Sequence, residues 1–143
     1  MSARLSAHAP TFLALLRIVT ALLFIEHGTQ KLLGFPPGPS MPSPQALSMI
    51  WWAGMIELVP GALVLVGLFT RPAAFLAAGE MALAYWIGHF PRLPLPDGFF
   101  PVNNDGDAAI LFCFIFLYLV FAGPGRWSIE AMRPARPGAN EES

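Results

Sequence analysis

Residues 54–72, GMIELVPGALVLVGLFTRP, continue the apolar Ile50-Trp51-Trp52-Ala53 and hold one carboxylate, Glu57, before ending at Thr70-Arg71-Pro72. A run of this length and apolarity matches the ~20 helical residues needed to cross about 30 Å of hydrocarbon. The chain must fold around such a helix and must accommodate an acid inside it. At about 100° per residue, Gly54, Glu57 and Gly61 lie within about 60° of one another. The acid therefore sits in a strip of small residues, where a second backbone can approach.

The rest of the chain has the same character. Of its 143 residues, 55% are hydrophobic and 12% charged, against roughly 25% charged for an average soluble domain, and mean hydropathy is +0.58. A net charge of −1 supplies no basic surface, which argues against nucleic acid as a partner. A single cysteine, Cys113, rules out an intramolecular disulfide and a Cys-x-x-Cys pair, so dithiol chemistry would have to come from a partner protein.

Four apolar segments are expected to span the lipid bilayer, near residues 11–34, 47–69, 72–90 and 106–122, giving an all-α transmembrane four-helix bundle in a single domain over residues 1–143. The first is read as a retained span, because its apolar stretch runs on past Glu26 with Arg17 inside it and no small-residue cleavage site follows. Residues 35–44 and 91–104 are Pro-rich loops, the second with four prolines. Thr70-Arg71 is expected to make the tight connection of a helical hairpin, with Pro72 in the next first turn and Pro60 kinking the second span. Of the eight basic residues, Arg4, Arg17, Arg71, Arg126, Arg133 and Arg136 fall on the side of the termini, and Lys31 and Arg92 on the other. This bias predicts a multi-pass protein with both termini cytoplasmic. After Gly123-Pro124-Gly125, residues 126–133 suit a short interfacial helix, either a membrane-boundary anchor or a partner dock. Residues 134–143 read as a disordered tail.

Charged groups within spans mark either function or internal pairing. Arg17 and Glu80 lie at similar depths, which permits a pair across helices. Glu80 shares a face with Ala73, Ala77 and Ala84, repeating the setting of Glu57. The two acids are expected to share a proton or cation, or else to be neutralised and simply to join helices. Glu26, His27, Gln30 and Lys31 form the densest polar patch. Together with Arg17, Glu57, Glu80, Asn104 and Asp107 they are the candidates to line a polar pocket. Glu57, His27 and Lys31 are the candidate reactive groups. The plainer alternatives are that Lys31 and His27 snorkel to the interface and that the 103–107 cluster caps the fourth helix. Its spacing fits no metal motif, so no metal is expected. The aromatic residues of the fourth span read as packing groups against which a flat ring could also lie.

Arg17, Phe24-x-x-His27-Gly28-x-x-Lys31-Leu32-x-Gly34-Phe35, Glu57-Leu58-x-x-Gly61, Gly67-Leu68-Phe69-Thr70-Arg71, Met81-x-x-Ala84 and Gly123-Pro124-Gly125-Arg126-Trp127-Ser128-Ile129-Glu130 occur in that order. This ordered set resembles the DoxX family of small four-helix membrane proteins. The resemblance implies a bacterial inner-membrane location and kinship with the membrane subunit of thiosulfate:quinone oxidoreductase. It also implies, for some members, association with a sulfurtransferase and superoxide dismutase in thiol-stress complexes. Arg17, His27, Lys31 and Glu57 carry over as the polar core. Where the family often opens the fourth helix with Gly-x-Glu, this chain has Gly106-Asp107.

The resulting expectation is a membrane subunit supporting sulfur or thiol oxidoreduction coupled to the quinone pool, with quinone as its cofactor and a sulfur-metabolism or thiol-redox protein as its partner. Lys31 and His27 would attract an oxyanion while a carboxylate relays protons. The alternatives are a non-enzymatic assembly or chaperone-like factor, and a small proton-coupled carrier working as a homo-oligomer.

Overall fold

The computed structural model describes residues 5–38 and 44–132, all of them helix, turn or loop. Arg4, Arg133, Arg136, the 134–143 tail and part of the first Pro-rich loop lie outside the described residues.

Helix α1 (Ala9–Leu33) starts with Pro10 in its first turn and stops at Gly34, whose φ of 66° is the left-handed conformation that glycine adopts without a Cβ penalty. Helix α2 (Met49–Val66) is capped by Ser48, whose side-chain oxygen accepts from the Trp51 N–H at 3.3 Å. It contains Pro60 and ends at Gly67 with φ 67°. The hairpin turn thus occupies residues 67–69, and Thr70 already opens α3 (Thr70–Leu83). Its first free N–H is capped from far along the chain, with the Glu130 carboxylate accepting from Thr70 N at 2.7 Å. A negative group here also complements the positive end of the helix dipole.

Helix α3 continues without a break into a π-helical turn, Ala84–His89, and a 3-10 turn, Phe90–Arg92. After a loop holding the 3-10 turn Asp97–Phe99, α4 (Asp107–Ala122) follows, then the short α5 (Ile129–Met132). The four expected apolar segments are largely helical, but among the described residues α1 and α2 are the two helices long and apolar enough to cross a membrane on length and composition. In the third, the α-helical part is 14 residues before the π turn takes over, and α4 has 16 residues, which at about 1.5 Å each is roughly 24 Å.

Packing runs α1 on α2, α2 on α3 and α3 on α4, with a smaller contact between α1 and α4. The α1–α2 contact is close because glycines face it. A Cβ on Gly28 would stand 2.9 Å from Glu57 Cβ, and one on Gly61 2.8 Å from Ile25 Cγ1. The α3–α4 contact uses an alanine face, Ala73, Ala74, Ala77 and Ala78, against Ala109, Phe112, Phe116 and Leu119. Phe24 of α1 completes this core, its ring 4.7 Å from that of Phe116. Phe114, Tyr118 and Phe121 point outward and join an extensive apolar exterior that includes Phe12, Leu33, Phe75 and Leu111. An exterior this apolar exceeds what soluble monomers expose.

Candidate functional site

Where α1, α2 and α3 meet, three charged side chains converge. Gly28 and Gly54 let α1 approach α2 closely enough for Lys31 to reach one turn past Gly28, where its Nζ lies 2.5 Å from Glu57 Oε1. Glu57 is 1% exposed and the Lys31 side chain 25%. The second oxygen of Glu57, Oε2, is buried with no hydrogen-bond partner. Glu80 on α3 is 9% exposed, stands within electrostatic reach of both Glu57 and Lys31, and also buries an Oε2 without a partner. Two carboxylates and one ammonium thus share an apolar junction.

This junction opens into a cleft of about 780 Å³ between α2 and α3, within the ~300–1,000 Å³ typical of small-molecule sites. Lys31 and Glu80 lie in it, His89 and Arg92 line one end, and Trp52, Ile56, Phe75, Leu76, Leu83 and Ile87 supply apolar walls. Trp52, Phe75, Leu76, Leu83 and Ile87 are also more than half exposed, so the mouth is rimmed by the apolar exterior. The floor includes Gly79 and Gly88, where an added Cβ would meet open space. The π turn contributes Ala84, Ile87, Gly88 and His89, and π turns often occur at functional sites.

The other expected pocket residues are placed differently. Arg17 does not pair with Glu80. Its fully buried guanidinium donates to five backbone carbonyls: Val64 at 2.7 Å, Leu65, Pro124 at 2.7 Å, Arg126 at 3.3 Å and Trp127 at 2.8 Å. It ties carbonyls at the end of α2 to the C-terminal segment, which the five N–H donors of arginine suit better than any other side chain. His27 is exposed, its ring 5.9 Å from that of Phe112 in an edge-on contact, and Glu26 is exposed beside it. Gln30 donates to the Pro36 carbonyl at 3.3 Å and ties down the following loop. Asn104 is buried and donates to Gly98 O at 2.8 Å, while its own carbonyl lies 3.2 Å from His89 Nδ1. It braces the loop rather than capping α4, whose N-cap Gly106 makes no side-chain cap. Asp107 is exposed in the first turn of α4. Among the described residues no three of His, Cys, Asp and Glu are grouped to hold a metal ion.

The C-terminal cluster around Arg17 was not anticipated as a unit. Ser128 caps α5, accepting from Ala131 N at 3.1 Å and donating to Gly125 O at 3.0 Å. The Glu130 N–H reaches Gly67 O at 3.1 Å, and Arg71 donates to Val120 and to Phe121 O at 2.8 Å. The signal was present as two separated blocks, Gly67 to Arg71 and Gly123 to Glu130, that the fold brings together.

A fold that is helical throughout its regular elements among the described residues, with an apolar exterior and with Arg17, Glu57 and Glu80 buried inside it, has the build of a membrane protein. The chain belongs to the DoxX family, whose model matches residues 12–90. It is 43% identical over 129 residues to an uncharacterized protein of Haemophilus influenzae, covering 88% of this chain and 93% of that one. It is 32% identical over 140 residues to an uncharacterized membrane protein of Mycobacterium tuberculosis, covering 88% and 83%. No solved structure matches the chain significantly.

Proposed function

We infer that this protein is a multi-pass inner-membrane subunit, a four-helix transmembrane bundle with both termini cytoplasmic, that exchanges reducing equivalents between a sulfur or thiol partner and the quinone pool. The observation that carries this reading is the cleft, which is apolar along most of its walls, rimmed by the outward-facing surface, and carries charge at Lys31, Glu80 and Arg92. That profile suits a ring-headed, lipid-soluble molecule arriving sideways from the bilayer better than a water-soluble ion arriving from either end.

The residues present fit a quinone. Trp52, Ile56 and Phe75 form the slot for its ring and tail. Lys31, held at one N–H by Glu57, keeps two further donors free for a ring oxygen. Glu80 is the acid or base within the same cleft. When bound, a quinone supplies two-electron, two-proton chemistry; the chain supplies the slot, the exclusion of water and a carboxyl, Glu80, to hold a proton. The sulfur or thiol donor belongs to a partner, because Cys113 is the chain's one cysteine.

Mass spectrometry of the protein purified in mild detergent tests this. Stoichiometric quinone is expected on the wild type and its loss on Gly79→Leu, which fills the cleft floor where the backbone has room. Quinone at background level in both would refute the reading.

A further inference from the structure

The apolar outer face of α1 holds an acid that the bundle does not use. At about 100° per residue, Phe12, Leu16, Val19, Leu23, Glu26 and Gln30 fall within about 80° of one another. They lie on the side of the helix opposite the buried Ala14, Arg17, Ala21 and Gly28, and all but the half-buried Gln30 are exposed. Their spacing of alternately four and three residues is that of the contact seam of a two-stranded coiled coil.

Glu26 stands far from either membrane boundary. A Cβ on Gly28 would touch Gly54 O and Leu58, and one on Gly61 would touch Phe24 and Ile25, which sets this part of α1 level with the middle of α2. The rings of Phe24 and His27 lie 4.7 and 5.9 Å from those of Phe116 and Phe112, in the middle of α4. Among the described residues no hydrogen bond or ion pair reaches the Glu26 carboxylate. An unpaired acid facing lipid at mid-span is costly, so whatever covers this face must bring hydrogen-bond donors to that depth.

A second copy does so by symmetry. Copies inserted in the same orientation bring their α1 helices together parallel and at equal depth. In such a pairing each seam residue enters a hole formed by four residues of the facing helix. For Glu26 those four are Leu23, Glu26, His27 and Gln30 of the second copy. The two Glu26 carboxylates therefore meet across the axis, and each needs donors to be held there. A His27 ring supplies an N–H in either of its charge states, and the Gln30 amide spends one N–H on the Pro36 carbonyl and keeps another.

We propose that this protein forms a parallel two-fold dimer through the outer face of α1, with Glu26 of each copy hydrogen-bonded to His27 and Gln30 of the other. No residue of this seam lines the α2–α3 cleft, so the dimer stands or falls independently of the quinone reading.

The test uses the full chain in lipid vesicles. Förster transfer between donor- and acceptor-labelled copies, followed as lipid is added, gives the dimer dissociation constant. Glu26→Leu should weaken association about tenfold, the scale of a hydrogen bond or two between helices in lipid. Glu26→Gln, which keeps groups able to hydrogen-bond with His27 and Gln30, should stay within about threefold of wild type. Both variants change an exposed side chain and leave the Lys31–Glu57 junction untouched. In a Cys113→Ser background, Val19→Cys on the seam should cross-link to its counterpart under mild oxidation, and Phe75→Cys, exposed on α3, should not. A monomeric wild type, a dimer that cross-links through Phe75→Cys rather than Val19→Cys, or one that Glu26→Leu leaves unweakened would overturn the proposal.

Discussion

Replacing Lys31 by methionine strands Glu57 inside the α1–α2 contact. The carboxylate is 1% exposed, its Oε2 has no partner, and Lys31 Nζ at 2.5 Å is the one cation bonded to it. At an effective dielectric of about 20 the attraction at that separation is roughly 7 kcal/mol, and most of it offsets the desolvation of the acid. Breaking such a pair from the exposed side therefore costs ~3–5 kcal/mol. The reverse change, Glu57→Met, strands an ammonium that is a quarter exposed and sits on a flexible stem able to reach water, so about 1 kcal/mol is expected. In the double variant Lys31→Met/Glu57→Met no charge is stranded, and the two unbranched side chains fill similar space; its stability should lie within about 1 kcal/mol of wild type. The assay is equilibrium unfolding in mixed micelles by SDS titration, read by tryptophan fluorescence and analysed as a double-mutant cycle. Equal costs for the two single variants, or a Lys31→Met loss below about 1 kcal/mol, would show that water reaches Glu57 and would refute the buried-pair description.

Gly28→Ala should lose ~1–3 kcal/mol of stability in the same assay, since its Cβ would stand 2.9 Å from Glu57 Cβ and 3.0 Å from Gly54 O. Gly79→Ala meets open space and should be neutral or stabilising by ~0.5–1 kcal/mol. Arg17→Lys replaces five donors by three against five carbonyls. It should cost about 2–4 kcal/mol and raise hydrogen exchange across residues 123–132, with α1 near Lys31 unaffected.

Apolar length and small-residue spacing were legible because each is a local property. They place four helices within a few residues of their observed positions and set Glu57 on the glycine face that meets α1. Position along the bundle was legible for Glu57 and Lys31 but not for Arg17 and Glu80. Expected at one depth, these two separate: Arg17 turns toward the end of α2 and the C-terminal segment, whereas Glu80 stands by Glu57 and Lys31. The partners of Arg17 are backbone carbonyls, which every residue type supplies, so no side-chain pattern marks them. The π turn at Ala84–His89 is equally silent, because it shifts the hydrogen-bond register without a distinctive composition. Asn104 reads as a helix cap, but it is turned inward to hold the loop at Gly98.

The motifs spread along the chain become two clusters in space, and their placement explains where the cleft lies. Lys31 and Arg17 are 14 positions apart on α1, about 21 Å at 1.5 Å per residue, and each fastens α1 to α2, one through Glu57 and the other through Val64 and Leu65. Helices α3 and α4 form a second pair, joined by the alanine face and by Arg71. The seam between the pairs is closed at the Arg17 end, where the 67–69 turn, Glu130 and Thr70 are bonded together. At the Lys31 end no comparable bond among the described residues crosses from α2 to α3, and Gly79 and Gly88 leave space beside α3 unfilled. The cleft therefore lies at the end where the seam between the two pairs is unfastened.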